Sequence, residues 1–128
     1  MDKQQAISAL AALAQATRLD VFRLLVMHEP AGLPAGDLSS SLAVPHNTLS
    51  SHLAILSHAG LIHGERHSRS IVYRANLDRF RDVTLYLVKN CCQGSPELCA
   101  PLIAALSPAL GKSHRRGTQS RGIVSGQL

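Results

Sequence analysis

The run His46-Asn47-Thr48-Leu49-Ser50-Ser51-His52-Leu53-Ala54-Ile55-Leu56-Ser57-His58 decides how this chain is read. Wound as a helix at about 100° per residue, it places Leu49, Leu53 and Leu56 within about 60° of one another. Asn47, Ser50, Ser51, Ala54 and His58 gather on the opposite side. The leucine face belongs to a core. The other face is polar, small and almost uncharged, whereas an ordinary solvated face is rich in Lys and Glu. Small side chains allow close approach to another surface, and Asn and Ser both donate and accept hydrogen bonds; a DNA major groove asks for both properties.

Upstream, Ala43-Val44-Pro45 makes a tight turn, preceded by a short helix over about 35–42 with Leu38 and Leu42 at i, i+4. Residues 31–34 read as a connection. A helix opening at Thr17, with Asp20 completing a capping box, buries Leu19, Phe22 and Val26 and ends before Pro30. An Ala-rich helix over about 3–14 turns Ile7, Leu10 and Ala14 inward. Downstream, Ala59-Gly60 ends the decisive helix, and Leu61–Glu65 and Ser70–Arg74 alternate as two strands around Arg66-His67-Ser68-Arg69. Asn76 caps a last long helix with the stripe Phe80, Val83, Thr84, Leu87 and Cys91, ended by Gln93-Gly94. Ser95-Pro96 opens a further short helix through Leu106, which Pro101 kinks or splits, and residues 107–128 read as a flexible basic tail. The fold class is mainly α with a small β part: a winged helix-turn-helix over residues 1–106 with a β-hairpin wing.

The 128 residues suit one domain, and no apolar run approaches the length of a membrane span. Met1-Asp2-Lys3-Gln4-Gln5 lacks the pattern of a secretory signal, so a cytoplasmic location is expected. The formal charge of +5 is uneven. Lys112, Arg115, Arg116 and Arg121 lie in the tail, leaving a nearly neutral body, yet Arg66, Arg69, Arg74, Arg79 and Arg81 meet only Asp78, a local excess suited to phosphates.

Cys91-Cys92-x6-Cys99 is odd in number and lacks the paired Cys-x-x-Cys units of a four-ligand zinc site, so neither a disulfide framework nor structural zinc fits. Three thiolates favour a soft ion. Trivalent arsenic or antimony completes its pyramidal shell with three sulfurs, and the turn at Gly94-Ser95-Pro96 allows all three to come from one protomer. The plain alternative for Cys91 is core packing, although two adjacent cysteines point to different sides of a helix.

Four stretches together resemble the ArsR/SmtB family of bacterial metal-responsive repressors: Ala16-Thr17-Arg18-Leu19, Thr48 to Leu56, Ala59-Gly60-Leu61, and Glu65 to Tyr73. The resemblance covers residues 17–90. It implies that His46, Asn47, Thr48, Ser50 and Ser51 touch base edges or nearby phosphates. Arg66 and Arg69 at the wing tip then lie against the sugar-phosphate backbone or in the minor groove. His52 lies nearer the leucine face and reads as a packed or backbone-bonded residue, and Pro45 stands where the family commonly has a Ser-type cap. Family members with a similar cysteine pair and third cysteine respond to arsenite. Others use a Cys-x-Cys that is missing from Ala35-Gly36-Asp37-Leu38, and the zinc members use His ligands missing from Leu77–Asn90.

The expected function is a homodimeric repressor that binds a near-palindromic double-stranded operator through these residues. It is released when arsenite or antimonite binds Cys91, Cys92 and Cys99. The first and last core helices form the dimer interface, because their apolar stripes exceed what one small domain covers. The alternative is a repressor that senses oxidation or persulfides through the same thiols. A thiol enzyme such as an arsenate reductase is not expected: the Cys-x5-Arg oxyanion cradle would need Arg where Glu97, Leu98 and Ala105 stand.

Overall fold

A computed structural model describes residues 1–89 together with residues 100, 101 and 105. Its elements are α1 (Lys3–Leu13), α2 (Ala16–Met27), β1 (Leu33–Pro34), α3 (Ala35–Leu42), α4 (His46–His58), β2 (Ile62–His67), β3 (Ser70–Ala75) and α5 (Leu77–Lys89). The order is that of a winged helix-turn-helix, as the sequence leads one to expect. Met1–Tyr86 forms one compact unit and Leu87–Leu128 a second. Apart from residues 100, 101 and 105, the helix expected through Leu106 and the expected tail lie outside the described residues.

The helix boundaries follow from local chemistry. Asp2 and Gln5 form a reciprocal capping box at α1: the Gln5 N–H donates to Asp2 Oδ1 at 2.8 Å and the Asp2 N–H to Gln5 Oε1 at 2.9 Å. The cap of α2 differs from the expected Thr17 and Asp20 pair. Gln15 is the N-cap residue, its Oε1 accepting the Arg18 N–H at 2.8 Å, so the helix begins at Ala16. Arg18 ties the two helices together, its Nε donating to the Ala12 carbonyl at 2.7 Å.

The inward faces of α1 and α2 also differ from expectation. Ala6, Ala9 and Ala12 are buried on α1, while Ile7 and Leu10 are 48% and 40% exposed. On α2 the buried residues are Val21, Phe22 and Leu25, and Leu19 and Val26 face outward. Apolar residues lie nearly all round both helices, so side-chain size was the wrong guide. The small face of α1 is the one that lets it approach its neighbours closely.

Leu38 of α3, the three leucines of α4, Leu61, Ile62, Ala75 and Val83 of α5 complete the core. The Phe22 and Phe80 rings meet at a centroid distance of 5.7 Å and a tilt of 38°, joining α2 to the start of α5. The sheet is antiparallel with order β1-β3-β2. Strand β1 falls within the stretch expected to be a plain connection. Two residues are too few for an alternating pattern to show, and Pro34 fits because an edge strand tolerates a missing donor. Gly32 precedes it at φ +76°, where a Cβ would stand 2.5 Å from the Tyr73 carbonyl oxygen.

Glu29, just past α2, clamps that helix to the sheet. Its Oε1 accepts Arg74 Nη2 at 2.7 Å, and its Oε2 accepts Arg74 Nε at 3.3 Å and the Ala75 N–H at 3.1 Å. Among the described residues no helix is long and apolar enough to cross a membrane.

The two faces of α2 can be told apart by unfolding. Leu25→Ala should destabilise the chain by about 2–5 kcal/mol through cavity formation, whereas Leu19→Ala should stay within about 0.5 kcal/mol of the parent. Urea unfolding of both variants checks this; equal losses would contradict the frame of α2 described above.

Candidate nucleic-acid interface

The interface is built on the junction of α3 and α4. Ala43 ends α3 in the left-handed region at φ 54°, and the Val44 N–H returns to the Ser39 carbonyl at 3.1 Å. The Ser39 hydroxyl donates to the Val44 carbonyl at 2.6 Å, so one side chain closes the turn. Pro45 then serves as the N-cap of α4 without a side-chain bond. It lacks the Ser-type hydroxyl, yet its extended backbone delivers the chain into the helix at His46, and the Leu49 N–H bonds the Pro45 carbonyl at 2.9 Å.

On α4, Leu49, Leu53 and Leu56 are 1%, 4% and 0% exposed, which fixes the rotation of the helix. His46, Asn47, Thr48, Ser50, Ser51 and Ala54 are all exposed. The structure thus brings the five α4 residues singled out from the sequence onto one free surface. Asn47 Oδ1 accepts the Thr48 N–H at 3.0 Å, which holds its amide close to the first turn. His52 is half-buried, its Nδ1 3.3 Å from Arg18 Nη1. The packed role expected for it agrees with this placement. An Nδ1 that accepts from the guanidinium carries its proton on Nε2.

The end of α4 is closed by Gly60 at φ 78°, with the Leu61 N–H reaching the Leu56 carbonyl at 3.0 Å. Asn76 fastens this corner to the next element. Its Nδ2 donates to the Gly60 carbonyl at 2.9 Å, and its Oδ1 accepts the Arg79 N–H at the start of α5 at 3.3 Å. Asn76 is therefore the cap expected from the sequence.

The wing is β2, a two-residue turn at Ser68-Arg69, and β3, with His67 paired to Ser70. Ser68 takes φ 62° at the bend. The tip expected over Arg66 to Arg69 is thus shorter, because strand pairing continues through His67: Arg66 is an exposed strand residue opposite Ile71, and Arg69 is exposed in the turn. The other arginines divide. Arg74 is engaged with Glu29 and Glu65, Arg79 lies over Gly60, and Arg81 stands 3.6 Å from Asp78 on the exposed side of α5. Arg74 is a structural residue, and its hydrogen bond to Glu29 raises its pKa above the usual guanidinium value, aided by the charges of Glu29 and Glu65 and opposed by partial burial.

One constellation was not singled out from the sequence. His63, Glu65 and His67 alternate along one face of β2, and Glu65 sits between the two imidazoles. His63 Nε2 lies 3.3 Å from Glu65 Oε2 and His67 Nε2 lies 3.5 Å from Oε1, with Arg74 Nη1 at 3.5 Å from Oε2. Partial burial pushes the Glu65 carboxyl up, but hydrogen bonds from His67 and His63 and the charge of Arg74 outweigh it and hold the group below the usual carboxylate range. The i, i+2, i+4 spacing of His-x-Glu-x-His on a strand is the signal that could have revealed it. Among the described residues no group of three His, Cys, Asp or Glu side chains is arranged to hold a metal ion. Cys91, Cys92 and Cys99, the expected metalloid ligands, lie outside the described residues.

Comparison with known proteins agrees with this geometry. A family model described as a helix-turn-helix domain matches residues 13–65. The transcriptional activator HlyU of Vibrio cholerae is 29% identical over 91 residues, spanning 71% of this chain and 82% of HlyU. The solved structure of HlyU from the same organism is 30% identical, covers 73% of this chain and all of its own, and superposes with a TM-score of 0.55. HlyU has also been solved in a form described as reduced, with a TM-score of 0.54. An ArsR-like transcriptional regulator from Rhodococcus sp. RHA1 superposes with a TM-score of 0.65 at 25% identity, over 80% of this chain and 93% of its own. A homodimeric winged helix-turn-helix DNA-binding domain from Mycobacterium bovis, 23% identical over 70% of this chain and 81% of its own, shares the fold with a TM-score of 0.57. With its recognition-type helix, its wing and this level of likeness to HlyU, the chain belongs to the ArsR/HlyU family of winged helix-turn-helix transcriptional regulators.

Proposed function

We propose that this chain is a homodimeric, cytoplasmic repressor that binds a near-palindromic operator and is released by trivalent arsenic or antimony at Cys91, Cys92 and Cys99. The observation that carries the DNA half is the exposed face of α4, small, polar and uncharged, beside a wing with two free-standing arginines. His46, Asn47, Thr48, Ser50 and Ser51 read base edges and neighbouring phosphates, while Arg66 and Arg69 supply affinity from the backbone. Dimerisation is supported by apolar surface left on two helices: Ile7 and Leu10 on α1, and Leu77, Phe80 and Leu85 on α5. The homodimeric state of the Mycobacterium bovis domain points the same way. A dimer must set its two recognition helices about 34 Å apart to enter successive major grooves.

The inducer half rests on sequence. Three thiols close to the end of α5 match the three-sulfur shell of a trivalent metalloid. Drawing them together next to a dimerisation helix alters how the two halves are held, and with it the spacing of the readers. Reversing a 99:1 population needs about 5.5 kcal/mol, which two sites could supply at a typical coupling of about 1–3 kcal/mol each. A second reading, sensing of oxidation or persulfides by the same thiols, is favoured by one observation: the relative HlyU has been solved in a form distinguished as reduced. Metalloid stoichiometry and free-thiol counts on one sample separate the two readings.

Three outcomes are expected. Asn47→Ala and Ser51→Ala should each weaken operator binding by about 1–3 kcal/mol without changing the oligomeric state, as measured by fluorescence anisotropy; wild-type binding in both would remove α4 from the interface. Arg66→Ala and Arg69→Ala should lower affinity for operator and unrelated DNA alike and flatten the salt slope by about one unit each. A loss confined to the operator would contradict a backbone role. In titrations of operator release with arsenite, Cys91→Ser or Cys92→Ser should abolish the response, while Cys99→Ser should shift it to higher metalloid. Three wild-type curves would place the inducer elsewhere.

A further inference from the structure

An acid in a phosphate-facing wing calls for an explanation, because its charge repels the ligand. Glu65 stands next to Arg66 in β2, and its carboxylate is shared by His63, His67 and Arg74. The His63 and His67 side chains are 47% and 59% exposed, so both can exchange protons with solvent, and Glu65 at 39% is only partly covered. Histidine is the side chain that ordinarily changes charge between about pH 5 and pH 8.

We propose that this strand is a proton-gated phosphodiester contact: with His63 and His67 neutral, Glu65 weakens the wing's hold on DNA, and protonation of both imidazoles over that carboxylate strengthens it. The inference rests on the reading of the wing as a DNA contact.

The charges facing the two imidazoles are few. On β2 itself they are Glu65 on the same face and Arg66 on the other; β3 contributes Arg74, the turn contributes Arg69, and the end of α2 contributes Glu29 through Arg74. Glu29, Glu65 and Arg74 together carry one net negative charge, which becomes one net positive charge when both histidines are protonated. The strand rises about 3.3 Å per residue and screening at physiological salt acts over about 8 Å. His67, one residue from Arg66, therefore acts directly on phosphates at the tip, while His63 acts by neutralising Glu65.

The test uses the full chain and a duplex that it selects from a random pool, with affinity measured from about pH 8 to about pH 6 at fixed ionic strength. Wild type should bind about fivefold tighter at the acid end, the size expected of two partly exposed charges. The double variant His63→Gln, His67→Gln should lose most of that gain, read as the ratio of its own affinities at the two pH values. The histidines outside the wing, His28, His46, His52, His58 and His114, remain in place in every variant, so the difference between the curves reports the wing alone. Glu65→Gln makes half of that charge change, so at the alkaline end it should bind about twofold tighter than wild type and fall short of the wild-type affinity at the acid end. Melting curves at both pH values check the fold, and single His67→Gln stands in should the double variant fail to fold. An unchanged pH response in the histidine variants, or wild-type affinity in Glu65→Gln, would overturn the proposal while leaving the wing on DNA, provided Arg66→Ala and Arg69→Ala lose affinity. If those two arginine variants bind normally, the wing reading falls and this inference with it.

Discussion

Burial of Leu49, Leu53 and Leu56 is the constraint on which the rest of the molecule depends. Once these three side chains are committed to the core, the rotation of α4 is fixed, and everything about half a turn away is delivered to the outside. The exposed polar face therefore needs no separate positioning device. A slip of one residue in this helix would rotate it by about 100° and replace the reader with leucine. The surrounding structure guards against that slip at both ends, through the Ser39 and Val44 closure before the helix and the Gly60 and Asn76 corner after it.

The second requirement is that the wing keep its place relative to α4. Short-range pairing makes the hairpin, and its attachment to the helices joins apolar burial of Ile62 and Ala75 to a polar clamp: the Glu29 carboxylate holds both the Arg74 guanidinium and the Ala75 N–H. The same Arg74 reaches Glu65 on the neighbouring strand. A single chain of charges thus runs from the end of α2 across β3 to β2.

Legibility from sequence followed the physics of each segment. In α4, three leucines on one side and small polar residues on the other left one reading, and the boundaries His46 and His58 agree with it. The hairpin and the Asn76 cap were legible for the same reason, because turn chemistry and alternation pointed together. The faces of α1 and α2 were not, since apolar residues surround both helices and only the tertiary fit selects among them. Strand β1 was too short to carry a period. The wing's His-x-Glu-x-His spacing was there to be read along β2, and what the sequence did not carry is Arg74, which joins Glu65 from the neighbouring strand. The cysteines remain a reading of sequence.

The alanine face of α1 has a further consequence for how such a chain can drift. Ala6, Ala9 and Ala12 are 2%, 0% and 2% exposed, and α1 lies as close to the body as it does because nothing larger than a methyl group stands between them. Enlarging any of the three forces the helix outward, an overpacking penalty of about 1–3 kcal/mol. Ile7 and Leu10, the bulky residues of the same helix, face outward and carry no such restriction within the protomer. The usual hierarchy of tolerance is inverted along this helix: the least conspicuous residues are the immovable ones. The large apolar ones are left free for selection to tune, changing the surface the helix presents without disturbing how the protomer folds.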